Sequence, residues 1–257
     1  MIANYHTHTH RCNHAIGREE DYVQEALKAG IQILGWADHT PYLFPDGYYS
    51  HFRMRPIQLP GYIKTIQELQ ERYAGQIEMP IGLETEYYPK HFGRLLEFLR
   101  EHPIDYLILG QHFIGNEYDA PYSGLVTEDK AVVRQYCSQS MEAMNTGVFT
   151  YFAHPDLIHY AGDWKFYQEA VRPMCAEAKS CGMPLEINLL GIREGRHYPN
   201  RYFWEVAAEE GCQVVLGCDA HTPQSMNAPE AEREALRLAR ELGMTVLDTV
   251  PLRSIHR

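Results

Sequence analysis

The chain has 257 residues, 45% of them apolar, and carries a formal charge of −11 with a pI near 5.7. That acidity argues against non-specific binding to phosphodiester backbones or anionic lipid; no apolar run reaches the ~18 residues of a membrane span, and the start lacks the basic-then-apolar pattern of a secretory signal. The expected setting is the cytoplasm, where six cysteines without a C-x-x-C pair read as buried small hydrophobes and leave any metal site to nitrogen and oxygen ligands.

A short apolar opening, Met1-Ile2-Ala3, runs into Tyr5-His6-Thr7-His8-Thr9-His10, with His14 shortly after. If 2–8 is a strand, His6 and His8 share one face, because strand side chains alternate with a period of two. Two imidazoles on one face can grip one cation, and His14, in the following loop, can reach a different one. Residues 18–29 have helical spacing with acids in the first turn and Gly30 as the stop. The run 31–37 predicts a buried strand ending in Asp38-His39, followed by a Pro-, Tyr- and Phe-rich loop over 40–60 that carries Arg53 and Arg55. A loop of that length predicts a lid or binding loop. Helix 58–73, strand 77–83 ending in Glu84-Thr85-Glu86, helix 91–100 and strand 106–110 ending at Gln111-His112-Phe113 follow. A second long loop spans 116–127, then come helix 128–144, strand 148–152 ending in Ala153-His154-Pro155-Asp156, and helix 164–181. Strand 184–188 precedes a polar loop with Arg193, Arg196 and His197; helix 200–210, strand 213–217 ending at Cys218-Asp219-Ala220-His221, and helix 229–242 complete the pattern. The run 244–247 is short and apolar, and the tail after Asp248 is expected to be solvated. No repeat or linker interrupts the chain, so residues 1–257 read as one domain.

This alternation predicts a parallel sheet with helical crossovers. His6 and His8, His39, Glu84, His112, His154, and Asp219 with His221 each follow the C-terminal end of a predicted strand. In a closed barrel those ends meet at one mouth, whereas an open doubly wound sheet would spread them along a line. The ligand distribution therefore favours a barrel. Any one of these histidines could be an ordinary loop residue, and Glu84 or Asp219 a cap; six matching strand ends are hard to obtain that way. Imidazole and carboxylate suit Zn²⁺, Mn²⁺ or Fe²⁺. Nine candidate ligands exceed the need of one tetrahedral ion, so a cluster of two or three divalent ions is expected. Paired cations ~3.5–4 Å apart polarise phosphoryl groups and activate water, which is hydrolytic chemistry.

The ordered set H-x-H at 6–8, His14, D-H at 38–39, Glu84, His112, H-P-D at 154–156 and D-x-H at 219–221 resembles the PHP (polymerase and histidinol phosphatase) superfamily. The resemblance implies a distorted TIM-like (β/α)7 barrel with a trinuclear centre. It also implies one ion on His6, His8, Glu84 and Asp219, a second on Glu84, His112 and His154, and a third on His14, His39 and His221. Within the superfamily, the segment Glu186-Ile187-Asn188, Gly191-Ile192-Arg193, Tyr198-Pro199-Asn200 is similar to histidinol-phosphate phosphatases, which implies a phosphate clamp at Arg193. Arg53 and Arg55 of the lid are further candidates for the substrate, with solvated loop charges as the plainer alternative. The sequence departs from the family pattern at Gln111, where a valine is usual, and at His159, where a second phosphate arginine is expected. The implied reaction is hydrolysis of a small phosphate ester by a metal-bridging hydroxide, with Asp219 or His221 as first candidates for protonating the leaving group. A PHP nuclease and a metal-sensing barrel are the alternatives; the acidic charge disfavours nucleic acid, and the oligomeric state stays open.

Overall fold

Residues 1–256 are described by a computed structural model, with eight short strands and eight α-helices that alternate except where the strand at 33–34 runs into that at 36–39 and the helix at 189–193 into that at 201–209. The strands are β1 (Ala3–Asn4), β2 (Ile33–Leu34), β3 (Trp36–His39), β4 (Ile81–Thr85), β5 (Tyr106–Leu109), β6 (Phe149–Phe152), β7 (Leu185–Asn188) and β8 (Val214–Gly217). The helices are α1 (Glu19–Lys28), α2 (Leu59–Arg72), α3 (Phe92–Leu99), α4 (Lys130–Asn145), α5 (Trp164–Ser180), α6 (Leu189–Arg193), α7 (Arg201–Glu209) and α8 (Pro229–Glu241). Strands β3 to β8 form one parallel sheet in chain order, and β1 pairs in parallel with β2.

The N-terminal segment curls this sheet into a TIM-like barrel. Beyond β1 it bonds on one side through Ala37 N–H to Thr7 C=O, and on the other through His8 N–H to Ala220 C=O at 3.0 Å. The expected strand 31–37 divides at Gly35, its first half serving β1 and its second half β4. A Cβ at Gly35 would meet the Tyr5 backbone at 2.8 Å, so the two segments can approach there only with glycine.

Strand β5 shows how a short apolar run satisfies two faces at once. Tyr106 and Ile108 point into the barrel with Tyr5, Tyr151 and Val215, while Leu107 and Leu109 pack outward against the helices. The Tyr106 hydroxyl, buried in the barrel, donates toward the carbonyls of Tyr5 (2.8 Å) and Trp36 (3.0 Å). Aliphatic and aromatic groups thus fill the N-terminal half of the barrel and leave the C-terminal half to polar groups.

Two expectations need correction. Residues 189–193 are not a polar loop but helix α6, because the Asn188 side chain accepts N–H bonds from Leu190 and Gly191 and caps a new helix directly on β7. The tail over 249–256 is not free in solvent, and Arg257 lies outside the described residues. Val250 and Ile255 are buried, Arg253 N–H donates to Thr150 Oγ1, and Arg100 donates to the Ile255 carbonyl at 2.7 Å. Val250, with Leu247 and Leu252, covers the barrel interior at the end its own strands leave open, and Ile255 packs into the outer layer between sheet and helices. Ile255→Ala should therefore cost about 2 kcal/mol, the low end for a buried isoleucine, measured by urea denaturation. An unchanged midpoint would show that the tail contributes nothing to stability.

Candidate metal centre

Glu84, at the inward-facing end of β4, is 1% exposed and stands among five imidazoles. Its Oε1 lies 2.8 Å from His154 Nε2 and 3.4 Å from His112 Nε2. Its Oε2 lies 3.1 Å from His39 Nδ1 and 3.5 Å from Nε2 of both His6 and His8. Asp219 Oδ1 closes the group from β8, 3.2 Å from His8 Nε2 and 3.6 Å from His6 Nε2. His221 and His14 sit at the outer edge, their Nε2 atoms 2.9 Å apart. His154 and Asp219 reach the centre from left-handed backbone, at φ of 32° and 46°, strain of a kind that collects at functional sites.

A set of outer carboxylates fixes these rings. Glu186 Oε1 is 2.9 Å from His6 Nδ1, and its Oε2 accepts the His154 N–H at 3.1 Å. Glu86 Oε1 is 2.8 Å from His112 Nδ1, whereas Asp38 Oδ1, 3.6 Å from His8 Nδ1, is too far to bond it. Carboxylates on the far nitrogen of an imidazole set its tautomer and aim its lone pair inward. Two glycines make room for them. A Cβ at Gly110 would sit 2.2 Å from Glu84 Oε1, and one at Gly217 would sit 1.8 Å from Glu186 Oε1.

The donors fit divalent cations. Among the described residues, His6 Nε2, both nitrogens of His8, His39 Nδ1 and His154 Nδ1 are buried without a hydrogen-bond partner. Buried nitrogens in that number would be costly unless something shares their lone pairs. Several groups have ligand atoms mutually close enough for one ion, among them His6, His8 and Asp219; His8, His39 and Glu84; and His14, His39 and His221. A fourth consists of His6, Glu84 and His154. The electrostatics agree. Burial alone would discharge Glu84, but His112, His39 and His6 hold its carboxyl well below the ordinary range. Burial likewise opposes charge on His6, yet Glu186, Asp219 and Glu84 outweigh it and push the group up to about 10. The carboxylates therefore draw positive charge to this point. His221 is pushed down to about 3 by burial and by His8, which leaves it neutral with a lone pair to give.

The centre opens into a cleft of about 360 Å³ walled by Phe52, Phe113, Tyr122, Leu157, Arg196 and Tyr198. The expected substrate residues fare differently. Arg193 is corrected: helix α6 turns it away, and its guanidinium donates to the carbonyls of Cys218 (2.8 Å) and Asp219 (3.3 Å). Arg196 occupies the cleft wall instead, braced by Glu194 (2.9 Å) and the Tyr198 hydroxyl (2.9 Å). Arg53 is neither a substrate group nor a solvated charge; it is 1% exposed and paired with Glu86 and Glu117. Arg55 is exposed and stacks on Tyr49, away from the cleft. His159 stacks on His197 at 3.9 Å and does not line the cleft. Gln111 is buried, accepting the Tyr87 N–H and donating to the Phe113 carbonyl, so it braces the loop rather than the metals. Glu186 and Glu86 are buried partners of the site that the sequence reading missed. For the two glutamates the signal was present: an acid on an inward-facing strand position must have a buried partner.

A β/α barrel with this cluster of imidazole and carboxylate at its strand ends defines a metal-binding hydrolase. The PHP domain family model matches residues 4–189, and the chain belongs to that family. It is 31% identical over 252 residues to a probable histidinol-phosphatase of Deinococcus radiodurans, covering 94% of each chain. A probable histidinol-phosphatase of Schizosaccharomyces pombe is 27% identical, covering 88% of this chain and 82% of that one. Among solved structures, the histidinol phosphate phosphatase of Lactococcus lactis, complexed with zinc, L-histidinol and phosphate, superposes with a TM-score of 0.75. That match covers 97% of this chain and 98% of the other at 20% identity. No helix among the described residues is long and apolar enough to cross a membrane.

Proposed function

We propose that the chain is a metal-dependent histidinol-phosphate phosphatase, converting L-histidinol phosphate and water to L-histidinol and phosphate in histidine biosynthesis. The single observation that carries this is the Glu84-centred ligand cluster at the foot of a cleft of about 360 Å³, in a chain collinear with the histidinol-phosphatase relatives. His6, His8, Glu84 and Asp219 would hold one ion, Glu84, His112 and His154 a second, and His14, His39 and His221 a third. Zinc, manganese and iron all suit these donors. Bound there, divalent ions supply polarisation of the phosphoryl oxygens and activation of water.

The protein's own groups do the rest. Glu186 and Glu86 hold the His6 and His112 rings in place before substrate arrives, so little reorganisation accompanies reaction. Arg196 is the cation of the cleft wall; Glu194 holds its Nε and Nη2 and Tyr198 its Nη1, and the N–H groups left over would meet the phosphate oxygens. Phe52, Phe113 and Tyr122 form an apolar wall suited to the flat imidazole of histidinol. Asp219 and His221 turn their polar atoms to His6, His8 and His14, which favours ligand roles for both over proton donation.

Metal-reconstituted protein should hydrolyse histidinol phosphate with a higher kcat/KM than any other phosphate monoester in a metabolite panel. A sugar or nucleotide phosphate turned over faster would overturn the substrate assignment. Arg196→Ala should lower kcat/KM roughly 10- to 100-fold, the effect of one charged hydrogen bond. Arg193→Ala should instead lower the melting temperature and change kcat/KM less. The reverse pattern would restore Arg193 as the phosphate clamp.

A further inference from the structure

Glu194 braces Arg196 with one oxygen and leaves the other free. It ends helix α6, its N–H bonded to the Leu190 carbonyl at 3.0 Å, so the cap that Asn188 sets on this helix also fixes where the Glu194 side chain leaves it. That side chain lines the cleft beside Arg196. Both guanidinium bonds, from Nε at 2.9 Å and from Nη2 at 2.6 Å, go to the same oxygen, Oε2, and no donor among the described residues reaches Oε1. The other carboxylates of the cleft, Glu84 and Asp219, are turned to the imidazoles of the centre. Outside that centre the cleft walls thus present one guanidinium and one carboxylate, in contact, among aromatic and aliphatic groups.

This pair is the electrostatic counterpart of an amino-alcohol phosphate, which carries an anionic phosphate and a cationic ammonium on adjacent carbons. With the phosphate at the metals and at the free N–H groups of Arg196, the ammonium is confined to the same part of the cleft. Without an acid there it would give up water to face a guanidinium and divalent ions, all of its own sign. We propose that Glu194 Oε1 receives the substrate ammonium, and that Glu194 thereby restricts the substrate class to phosphate monoesters bearing an amine on the carbon next to the ester carbon. The inference rests on the phosphatase reading and deepens it. A site that directs a polar group at a substrate N–H discriminates against the analogue lacking it. Glu194 is half exposed, so the preference should be about tenfold, the low end for a charged hydrogen bond.

Steady-state kinetics on the metal-loaded full chain test this with two substrates, L-histidinol phosphate and its des-amino analogue 3-(imidazol-4-yl)propyl phosphate, in wild type and Glu194→Gln. The quantity read is the ratio of kcat/KM for the two esters. Any loosening of Arg196 in the variant affects both esters through the same phosphate and cancels in that ratio. Wild type should favour the amine about tenfold, and Glu194→Gln should bring the ratio close to one. A wild-type ratio near one overturns the ammonium contact and leaves the phosphatase reading intact. So does a wild-type preference that Glu194→Gln leaves unchanged, since the amine is then held by another group, such as the aromatic wall. Protein that hydrolyses neither ester overturns the phosphatase reading and this inference with it.

Discussion

Glu84→Gln should reduce kcat by on the order of 10³-fold or more and leave protein that retains less than its full complement of metal. The size follows from what the carboxylate touches. Loss of an outer partner of one metal ligand typically costs about 10- to 100-fold, and loss of one preorganised electrostatic contact about 10²–10³. Glu84 has imidazoles on both oxygens, His112 and His154 on one and His6, His8 and His39 on the other. A neutral amide of the same shape keeps one acceptor, removes the charge that two ions would share, and turns N–H donors toward ring nitrogens that need cations. Metal analysis by plasma mass spectrometry, beside steady-state kinetics, checks this directly. Wild-type metal content with kcat within tenfold of wild type would mean that Glu84 is not a shared ligand.

The same residue illustrates what can be read without coordinates. Strand ends were legible because an apolar run such as Tyr106-Leu107-Ile108-Leu109 has one way to sit in a parallel sheet, and the polar residue after it must then face the mouth. Position along a strand is a local property, and it carried the histidines. What failed was non-local. Arg193 and Arg196 lie in one turn of sequence, and which of them reaches the cleft depends on Asn188 capping α6 and on two carbonyls of the β8 end. The tail looked solvated because Val250 and Ile255 are isolated in sequence, though the open end of the barrel buries the first and the outer layer the second.

Arg53 is the clearest such case, and its replacement carries the second large effect. Arg53→Ala should destabilise the protein by about 3–5 kcal/mol, the cost of removing one partner from a buried charge cluster. The guanidinium sits between two buried acids, Glu117, which it meets through Nε at 3.0 Å, and Glu86, which it meets through Nη2 at 3.1 Å. Nη1 donates to the Thr40 carbonyl at 2.6 Å, and Tyr88 supplies a further donor to Glu117 at 3.0 Å. Glu117 is 64 residues away in sequence, so a charge that looks solvated in a linear reading is instead the tie between two long loops. Removing it leaves both carboxylates buried without a cation. At ~2–4 °C per kcal/mol for a chain near this size, the melting temperature should fall by roughly 6–20 °C. Arg53→Ala combined with Glu117→Gln should cost less than the sum of the two changes, because the second relieves a charge that the first exposes. Activity should suffer through Glu86, which is 2.8 Å from His112 Nδ1 and would lose its own counter-charge. A residue that touched substrate would behave in the opposite way, losing kcat/KM at an unchanged melting temperature, and that outcome would return Arg53 to the list of substrate contacts.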